Sequence, residues 1–215
     1  MPFSVKSEHS FYNGGVPKVS DAHLAARRQQ ILDAARACFL HNGFHATSMN
    51  DVVREAGLSI GAVYRYFPSK NDLIMALAEQ VIGQIMAGFD EIVATEPPLP
   101  LQDAVGRAVE LAAPHTGPDG ALRIAVQVWS EALRDPALAE FVHGVYTRLR
   151  ARMVALAAAA VARGDLPAGS DPEAVGSVLF ALLPGYALQR ILIGVPDPAT
   201  YRAGLESLFA TAARP

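Results

Sequence analysis

The sequence TSMNDVVREAGLSIGAVYRYFPSK, residues 47–70, has the pattern of two short helices joined by a tight turn. Ser48 and Asp51 have the spacing of a capping box, which predicts the start of the first helix. Gly57 then stops that helix in the manner of a C-terminal glycine. Ser59 can cap a second helix, and Pro68 ends it. A helix–turn–helix unit of this length is the shape that places a second helix in the major groove of DNA.

The second predicted helix carries side chains that suit DNA contact. Gly61 and Ala62 are small enough for a backbone to come close, and Ile60 can touch a thymine methyl group. Arg65 can bind guanine through two hydrogen bonds or can hold a phosphate, and the sequence leaves both roles open. The expected DNA-contacting residues are Thr47, Ser48, Asn50, Ser59, Ile60, Gly61, Ala62, Tyr64, Arg65, Tyr66 and Lys70.

These residues also resemble a family signature. The positions that carry it are Gly57, Ser59, Tyr64, Tyr66, Phe67, Ser69 and Lys70, which resemble the helix-turn-helix signature of TetR-type transcriptional regulators. The similarity is dense over residues 31–77 and continues as helical layout and a stretch at 129–136. The resemblance implies that Tyr64, Tyr66 and Lys70 bind phosphates. It also implies that Thr47 and Ser48 meet the DNA backbone, and that residues 59–62 and Arg65 read bases.

Composition and charge fit such a protein. Hydrophobic residues are 51% and charged residues 18%, as in a globular chain. The net charge of −3 argues against nucleic-acid binding, but residues 18–70 hold seven Lys or Arg against four acids, whereas residues 71–215 hold ten Arg against sixteen acids. This division favours a DNA reader joined to a sensor. A single cysteine, no apolar leader and a longest uncharged run of only 16 residues (174–189) predict a cytoplasmic protein without membrane contact.

Proline and glycine breakers divide the chain into about nine predicted helices with no strand pattern, so the predicted fold class is all-α. We expect a mobile arm over residues 1–19, a three-helix DNA-binding domain over 20–70, and an effector-binding and dimerisation domain over 71–215. A helix at 71–94 joins the two domains without a flexible linker, which suits a lever. Later helices are predicted near 101–113, 119–134, 137–163, 172–194 and 199–213.

The family resemblance implies a ligand cavity beyond the first three helices, whose occupancy tilts the linking helix and changes the spacing of half-sites. Apolar side chains at helical spacing are the candidate walls, and they predict a lipophilic or amphipathic effector. The expected walls are Met86, Phe89, Val126, Trp129, Leu133, Tyr146, Met153, Phe180 and Tyr186. The candidate polar anchors are His115, Gln127, Glu131, His143 and Gln189.

The helix at 172–194 is apolar over most of its circumference, a pattern typical of a helix buried by its own chain or by a second subunit. The resemblance implies that it pairs with the final helix in a four-helix dimer interface, and an ordinary core helix is the alternative. The expected interface residues are Val175, Leu179, Leu182, Tyr186, Leu205, Leu208 and Phe209.

Together these features predict a transcriptional regulator, a repressor by resemblance, that binds a palindromic operator as a homodimer and needs no cofactor or metal. An enzyme is disfavoured because no G-x-S-x-G, H-E-x-x-H, C-x-x-C or phosphate-binding glycine loop occurs. His41 and His45 are four residues apart, but Asn42 and Gly43 interrupt the helix that a shared metal would need. An architectural or division-linked DNA-binding protein of the same fold, without a small-molecule ligand, remains the alternative.

Overall fold

The structure is a computed structural model that describes residues 21–210; the predicted arm at 1–19 lies outside the described residues. Over this range the chain is all-α, which confirms the predicted fold class. The helices are α1 (Asp21–Asn42), α2 (Met49–Ala56), α3 (Ile60–Tyr66), α4 (Lys70–Val93), α5 (Leu101–Ala112), α6 (Leu122–Ala132), α7 (Pro136–Arg163), α8 (Pro172–Ile193) and α9 (Pro198–Ala210). A short 3-10 helix, Ala113–Thr116, follows α5.

Local hydrogen bonds set the ends of α2 and α3 where the sequence predicts them. The Ser48 hydroxyl accepts from the Asp51 N–H at 3.2 Å, and the Ser48 N–H donates to the Asp51 carboxylate at 2.8 Å. These bonds from Ser48, with a further one from Arg54, lower the pKa of Asp51 to about 2. Gly57 ends α2 at φ 64°, a left-handed conformation that favours glycine. Ser59 then caps α3.

Two hydrophobic clusters form the core. The first cluster packs α1, α2 and α3 against the start of α4 and against α6 and α7. The second cluster joins the end of α4 to α5, α7, α8 and α9. Ile124 and Val128 of α6 are buried in the first cluster, so the helix-turn-helix region shares its core with the rest of the chain. The division predicted at residue 70 therefore falls inside one continuous packing unit, and it remains a prediction.

Helix α4 belongs to both clusters, because Leu73 and Ile74 are buried in the first and Phe89 and Ile92 in the second. Helix α4 therefore connects the two clusters, as expected of a helix at 71–94 that joins the predicted domains without a flexible linker. Helices α7 and α8 pack closely at Gly176, where a Cβ would lie 2.6 Å from Cγ2 of Val154. A larger residue at that position would have to separate the two helices.

Within the described residues, α4 and α8 are long and apolar enough to cross a membrane by length and composition alone. Only 28% and 22% of their most apolar 18-residue windows are buried. Helix α8 spans 22 residues, of which 174–189 are uncharged. Both helices contribute to the core clusters, and α8 also leaves large apolar side chains exposed at Val178, Leu192 and Ile193.

Candidate nucleic-acid interface and effector cavity

The outward side of α3 forms an open surface of mixed chemistry. Ile60 is 57% exposed and Tyr64 is 42% exposed, and Gly61 and Arg65 are also exposed beside them. The Arg65 guanidinium lies over the Tyr66 ring, 5.5 Å from its centroid. Ser48 and Asn50 at the start of α2 are exposed as well, as is Ser59 at the start of α3. This surface therefore offers apolar contact and hydroxyl groups beside the exposed Arg65 guanidinium.

Two side chains predicted to contact the DNA backbone, those of Thr47 and Tyr66, are directed into the chain. Thr47 is 1% exposed, and its hydroxyl donates to the carbonyls of Gly43 at 2.8 Å and Cys38 at 3.2 Å. The Tyr66 hydroxyl is buried with no hydrogen-bond partner among the described residues, so it does not point outward. Thr47 is thus bound to backbone carbonyls and Tyr66 packs against the first core cluster, while their contact with DNA stays a prediction.

Lys70 also departs from the prediction. Its ammonium donates to the carbonyls of Phe44 at 2.7 Å and Thr47 at 3.1 Å, and it lies 4.2 Å from the centroid of the Phe44 ring. Burial lowers the pKa of Lys70, and the nearby Glu131 carboxylate opposes that shift. The first residue of α4 therefore holds the turn between α1 and α2, and its charge is directed into the chain rather than toward a phosphate.

The same turn is held from a second side by Gln127 of α6. The Phe44 N–H donates to the Gln127 side-chain oxygen at 2.8 Å, and the Gln127 amide donates to the Phe39 carbonyl at 3.3 Å. The Phe44 ring is buried 5.6 Å from that of Phe39. We call this group of Gln127, Lys70, Phe44 and Phe39 the turn clamp. Gln127 was expected as a polar anchor for an effector, and the structure assigns it to the clamp instead.

Two further polar contacts lie near the clamp. His45 and Glu131 approach to 2.7 Å, which joins the turn to the end of α6. Asn71 at the start of α4 donates to Asp135 at the start of α7 at 2.6 Å. Glu131 was a candidate effector anchor and His45 a candidate metal ligand, and the structure pairs them with each other. The surroundings of α2 are therefore fixed by four elements: α1, α4, α6 and the start of α7.

A cavity of about 110 Å³ lies between α4, α5, α6, α7 and α8. Its walls carry no charged side chain, and aliphatic and aromatic groups form almost all of them. The lining residues are Ile82, Ile85, Ala112, Leu122, Ala125, Trp129, Val145, Tyr146, Leu149, Met153, Phe180, Leu183, Pro184, Ala187 and Ile191. A smaller adjoining space shares Ile85, Leu149, Met153 and Leu183 with it.

The cavity brings together four of the expected wall residues, namely Trp129, Tyr146, Met153 and Phe180. Phe89 instead lines the smaller adjoining space. Leu133 is 87% exposed at the end of α6, so it cannot form a wall. The remaining expected residues that do not line the main cavity are Met86, His115, Val126, His143, Tyr186 and Gln189.

Burial, with a smaller contribution from Arg36, lowers the pKa of His115.

The aliphatic cavity walls of α4 and α8 were missed because nothing in a helical repeat distinguishes a cavity wall from a core position. Pro184 inside α8 was the one usable signal, since a proline in a helix interior is unusual.

The predicted dimer-interface residues differ in burial. Leu179, Tyr186 and Leu205 are almost fully buried within the chain, so they pack internally. Leu208 is exposed, and Val175, Leu182 and Phe209 are half-buried. The large apolar side chains that α8 and its C-terminal extension expose are Val178, Leu192, Ile193 and Val195. Val178 and Leu192 share α8 with the buried Leu179 and Tyr186, whereas Ile193 and Val195 lie at and beyond its C-terminal end.

Comparison with known proteins gives the family. Residues 31–77 match the model for bacterial regulatory proteins of the tetR family, and residues 101–213, more than half of the chain, match the model for the C-terminal part of BetI-type transcriptional repressors. The chain belongs to the TetR family. Transcription regulation through a helix-turn-helix is the function that this family membership implies.

Individual members of the TetR family resemble different parts of this chain. The HTH-type transcriptional repressor Rv1474c of Mycobacterium tuberculosis is 45% identical over 65 residues, which is 30% of this chain and 35% of that repressor. The chain thus matches about a third of the length of such curated relatives.

Solved structures cover more of the chain. Salmonella enterica GusR is 26% identical with a TM-score of 0.71, over 89% of this chain and 98% of its own. A putative regulator from Saccharomonospora viridis in complex with choline shares the fold at 23% identity and a TM-score of 0.68, over 86% of this chain and 96% of its own.

In this TetR-family chain the turn clamp predicts a measurable loss of stability when Gln127 is changed. Gln127→Met keeps the length of the side chain but removes both hydrogen bonds, so we expect the free energy of unfolding to fall by about 1–2 kcal/mol. Urea denaturation measures the effect, and Gln84→Met on the exposed side of α4 is the matched control. Equal stability of the two variants would contradict the importance of the clamp.

Proposed function

We propose that the chain is a cytoplasmic, dimeric transcriptional repressor that binds a palindromic operator through α3 and releases it when a small apolar effector enters the cavity. The observation that carries this proposal is the double role of α6. One side of α6 lines the cavity through Leu122, Ala125 and Trp129. Its other side contacts the turn before α2 through Gln127 and Glu131. A regulated DNA-binding protein needs such a connection, whereas a ligand-independent one does not.

The size of the cavity supports a mechanical route for release. A volume of about 110 Å³ is smaller than the ~150 Å³ that admits benzene in a dry engineered cavity. The cavity is partly open to solvent, so an effector that extends inward beyond this volume displaces the walls, two of which, α4 and α6, also hold the turn clamp. Their displacement would move α2 and α3 and change the separation of the two reading helices, for which an operator requires about 34 Å or a multiple.

On the DNA side, the proposal rests on the exposed surface of α3. Because Lys70 is directed into the chain, phosphate contact falls to Tyr64, to Ser48 and to the N-termini of α2 and α3, where the helix dipole favours an anion. Ile60 is placed to touch a thymine methyl group. Arg65 is exposed and has both candidate roles, guanine reading and phosphate binding.

Gly61 gives a more specific argument for close approach by DNA. An exposed glycine inside a helix costs about 1 kcal/mol relative to alanine. Gly61 has no positive φ, and a Cβ built on it would meet no other atom within 4 Å. The packing of the described chain therefore gives no reason for a glycine here. Close contact between the α3 backbone and a nucleic acid supplies one.

Gly61→Ala is expected to change stability and DNA affinity in opposite directions. The free energy of unfolding should rise by roughly 0.5–1 kcal/mol. Operator affinity should fall by roughly 5- to 150-fold, the equivalent of 1–3 kcal/mol of overpacking. Gly83→Ala is the matched control, since Gly83 is an exposed glycine of α4 with equally free surroundings. Unchanged operator affinity in Gly61→Ala would remove the argument for close approach.

A second copy of the chain is the proposed occupant of the apolar face of α8. Exposed or half-buried residues recur there at alternating spacings of four and three: Ala174, Val178, Ala181, Gly185, Leu188 and Leu192. Such spacing is typical of helices that pair along a seam. Gly185 and, on α9, Gly204 have no atom within 4 Å of a built Cβ, which leaves room for a close partner helix. A palindromic operator requires the same symmetry.

Charge placed on this face should separate the subunits. Val178 and Leu192 are 64% and 69% exposed, so Val178→Glu with Leu192→Glu is expected to leave the fold intact and to shift the molar mass in solution from two chains to one. Leu133→Glu, at a position 87% exposed outside α8 and α9, is the control and should stay dimeric. Light scattering on a sizing column measures the mass. A dimer that persists in the double variant would place the interface elsewhere.

Genome-wide capture of DNA fragments by the purified protein tests the function as a whole. A few palindromic sites are expected, and they should be lost in a Tyr64→Ala, Arg65→Ala double variant, because both side chains are exposed on α3. Many unrelated sites with no response to small molecules would favour the architectural alternative. No enrichment over the double variant would overturn DNA binding altogether.

A further inference from the structure

Among the described residues that line the cavity, Trp129 and Tyr146 are the two whose side chains carry an N–H or O–H group. Neither the indole N–H nor the phenol hydroxyl has a hydrogen-bond partner in the part of the chain that the structure describes. Neither atom is among the fully buried unpaired side-chain atoms of the described chain, so both keep contact with solvent. A molecule that displaced this water would leave them unpaired, at a cost in free energy, unless it offered a hydrogen-bond partner.

Tyr146 is the better placed of the two. Its ring packs edge-on against Trp129, with centroids 6.3 Å apart, and against Phe180, with centroids 5.1 Å apart. Contacts with two other rings hold the Tyr146 ring at the cavity wall. Burial raises the pKa of Tyr146 to about 12, so the group is a neutral phenol that can both donate and accept.

We propose that the effector is an uncharged, mostly apolar molecule whose one oxygen function, a hydroxyl or a carbonyl, hydrogen-bonds to Tyr146. This inference rests on the proposed function of the cavity as the effector site. A ligand without polar groups would leave the Tyr146 hydroxyl unpaired. A charged ligand would lose its hydration without meeting a side chain of opposite charge, since the cavity walls contain none.

A cationic ligand is the sharpest alternative. The structure of the Saccharomonospora viridis regulator contains choline, and aromatic rings can hold a quaternary ammonium group through their faces. In this chain the edge-on packing of Tyr146 against Trp129 and Phe180 uses these rings for contact with one another. No carboxylate lines the cavity to neutralise a cation. Choline is therefore expected to bind poorly here.

Three probes test the proposal on the full chain without DNA: cyclopentanol, methylcyclopentane and choline. Cyclopentanol and methylcyclopentane match in shape and differ by one hydroxyl. Trp129 is the only tryptophan of the chain, so its fluorescence reports on the cavity, and calorimetry gives the Kd. Each probe is measured with the wild type and with Tyr146→Phe, which keeps the aromatic ring. Thermal unfolding verifies that the variant is folded.

In Tyr146→Phe the affinity for cyclopentanol should fall about fivefold, as expected for one lost hydrogen bond, while that for methylcyclopentane should stay within about twofold. Equal losses for both probes, tighter binding of choline than of cyclopentanol, or no binding by any probe would each overturn the proposal. Because DNA is absent from these measurements, such a result is separate from failure of operator capture, which would overturn the proposed function instead.

Discussion

The position of the helix-turn-helix depends on how one residue, Phe44, is bound. Its N–H is held by Gln127 of α6, its carbonyl by Lys70 of α4, and its ring is buried beside Phe39 of α1. With both backbone groups and the side chain engaged, Phe44 can shift only if one of these three helices shifts. Ser48, which starts α2, follows four residues later. The direction in which α2 and α3 leave the body of the protein is therefore set by α1, α4 and α6 together. Partly buried polar groups of this kind are costly to leave without a hydrogen-bond partner, so the arrangement favours one orientation of α2 and α3.

The same interaction changes the electrostatics expected of the DNA-binding surface. Lysine at residue 70 suggests a phosphate contact, but burial lowers its pKa and its ammonium is already bound to two carbonyls. Arg54 is likewise paired with Asp51 at 2.6 Å. Arg65 thus remains as the exposed cation of α3, beside hydroxyl groups and helix N-termini. A surface with few free cations relies less on non-specific attraction to phosphates and more on fit, which agrees with the apolar and small residues Ile60 and Gly61 at its centre.

The sequence predicts the helices well because their ends are decided by neighbours along the chain. The Ser48–Asp51 capping box, the left-handed Gly57 and the proline that starts α8 are all local signals. The directions of polar side chains are not local. Lys70 meets a carbonyl 26 residues away, and Gln127 meets groups 83 and 88 residues away. No periodicity encodes these pairings, so the predictions placed Lys70 on a phosphate and Gln127 in the effector cavity. Trp129, Tyr146 and Phe180 were anticipated as cavity walls because large aromatic residues are used at such sites more often than at random.

A ligand can regulate this protein only if it binds one arrangement of α4 and α6 better than another. A molecule that filled the cavity of about 110 Å³ without moving its walls would bind but would leave Phe44, and hence α3, in place. Such binding without movement is difficult, because Ile85 of α4 and Trp129 of α6 both line the cavity and both helices also carry residues of the turn clamp. Close-packed helices shift as units rather than deform gradually, so a wall movement large enough to admit an effector reaches the clamp. In the proposed mechanism, the small volume of the cavity and its uncharged described walls act together: the space that selects a neutral molecule is also the space that opens for release.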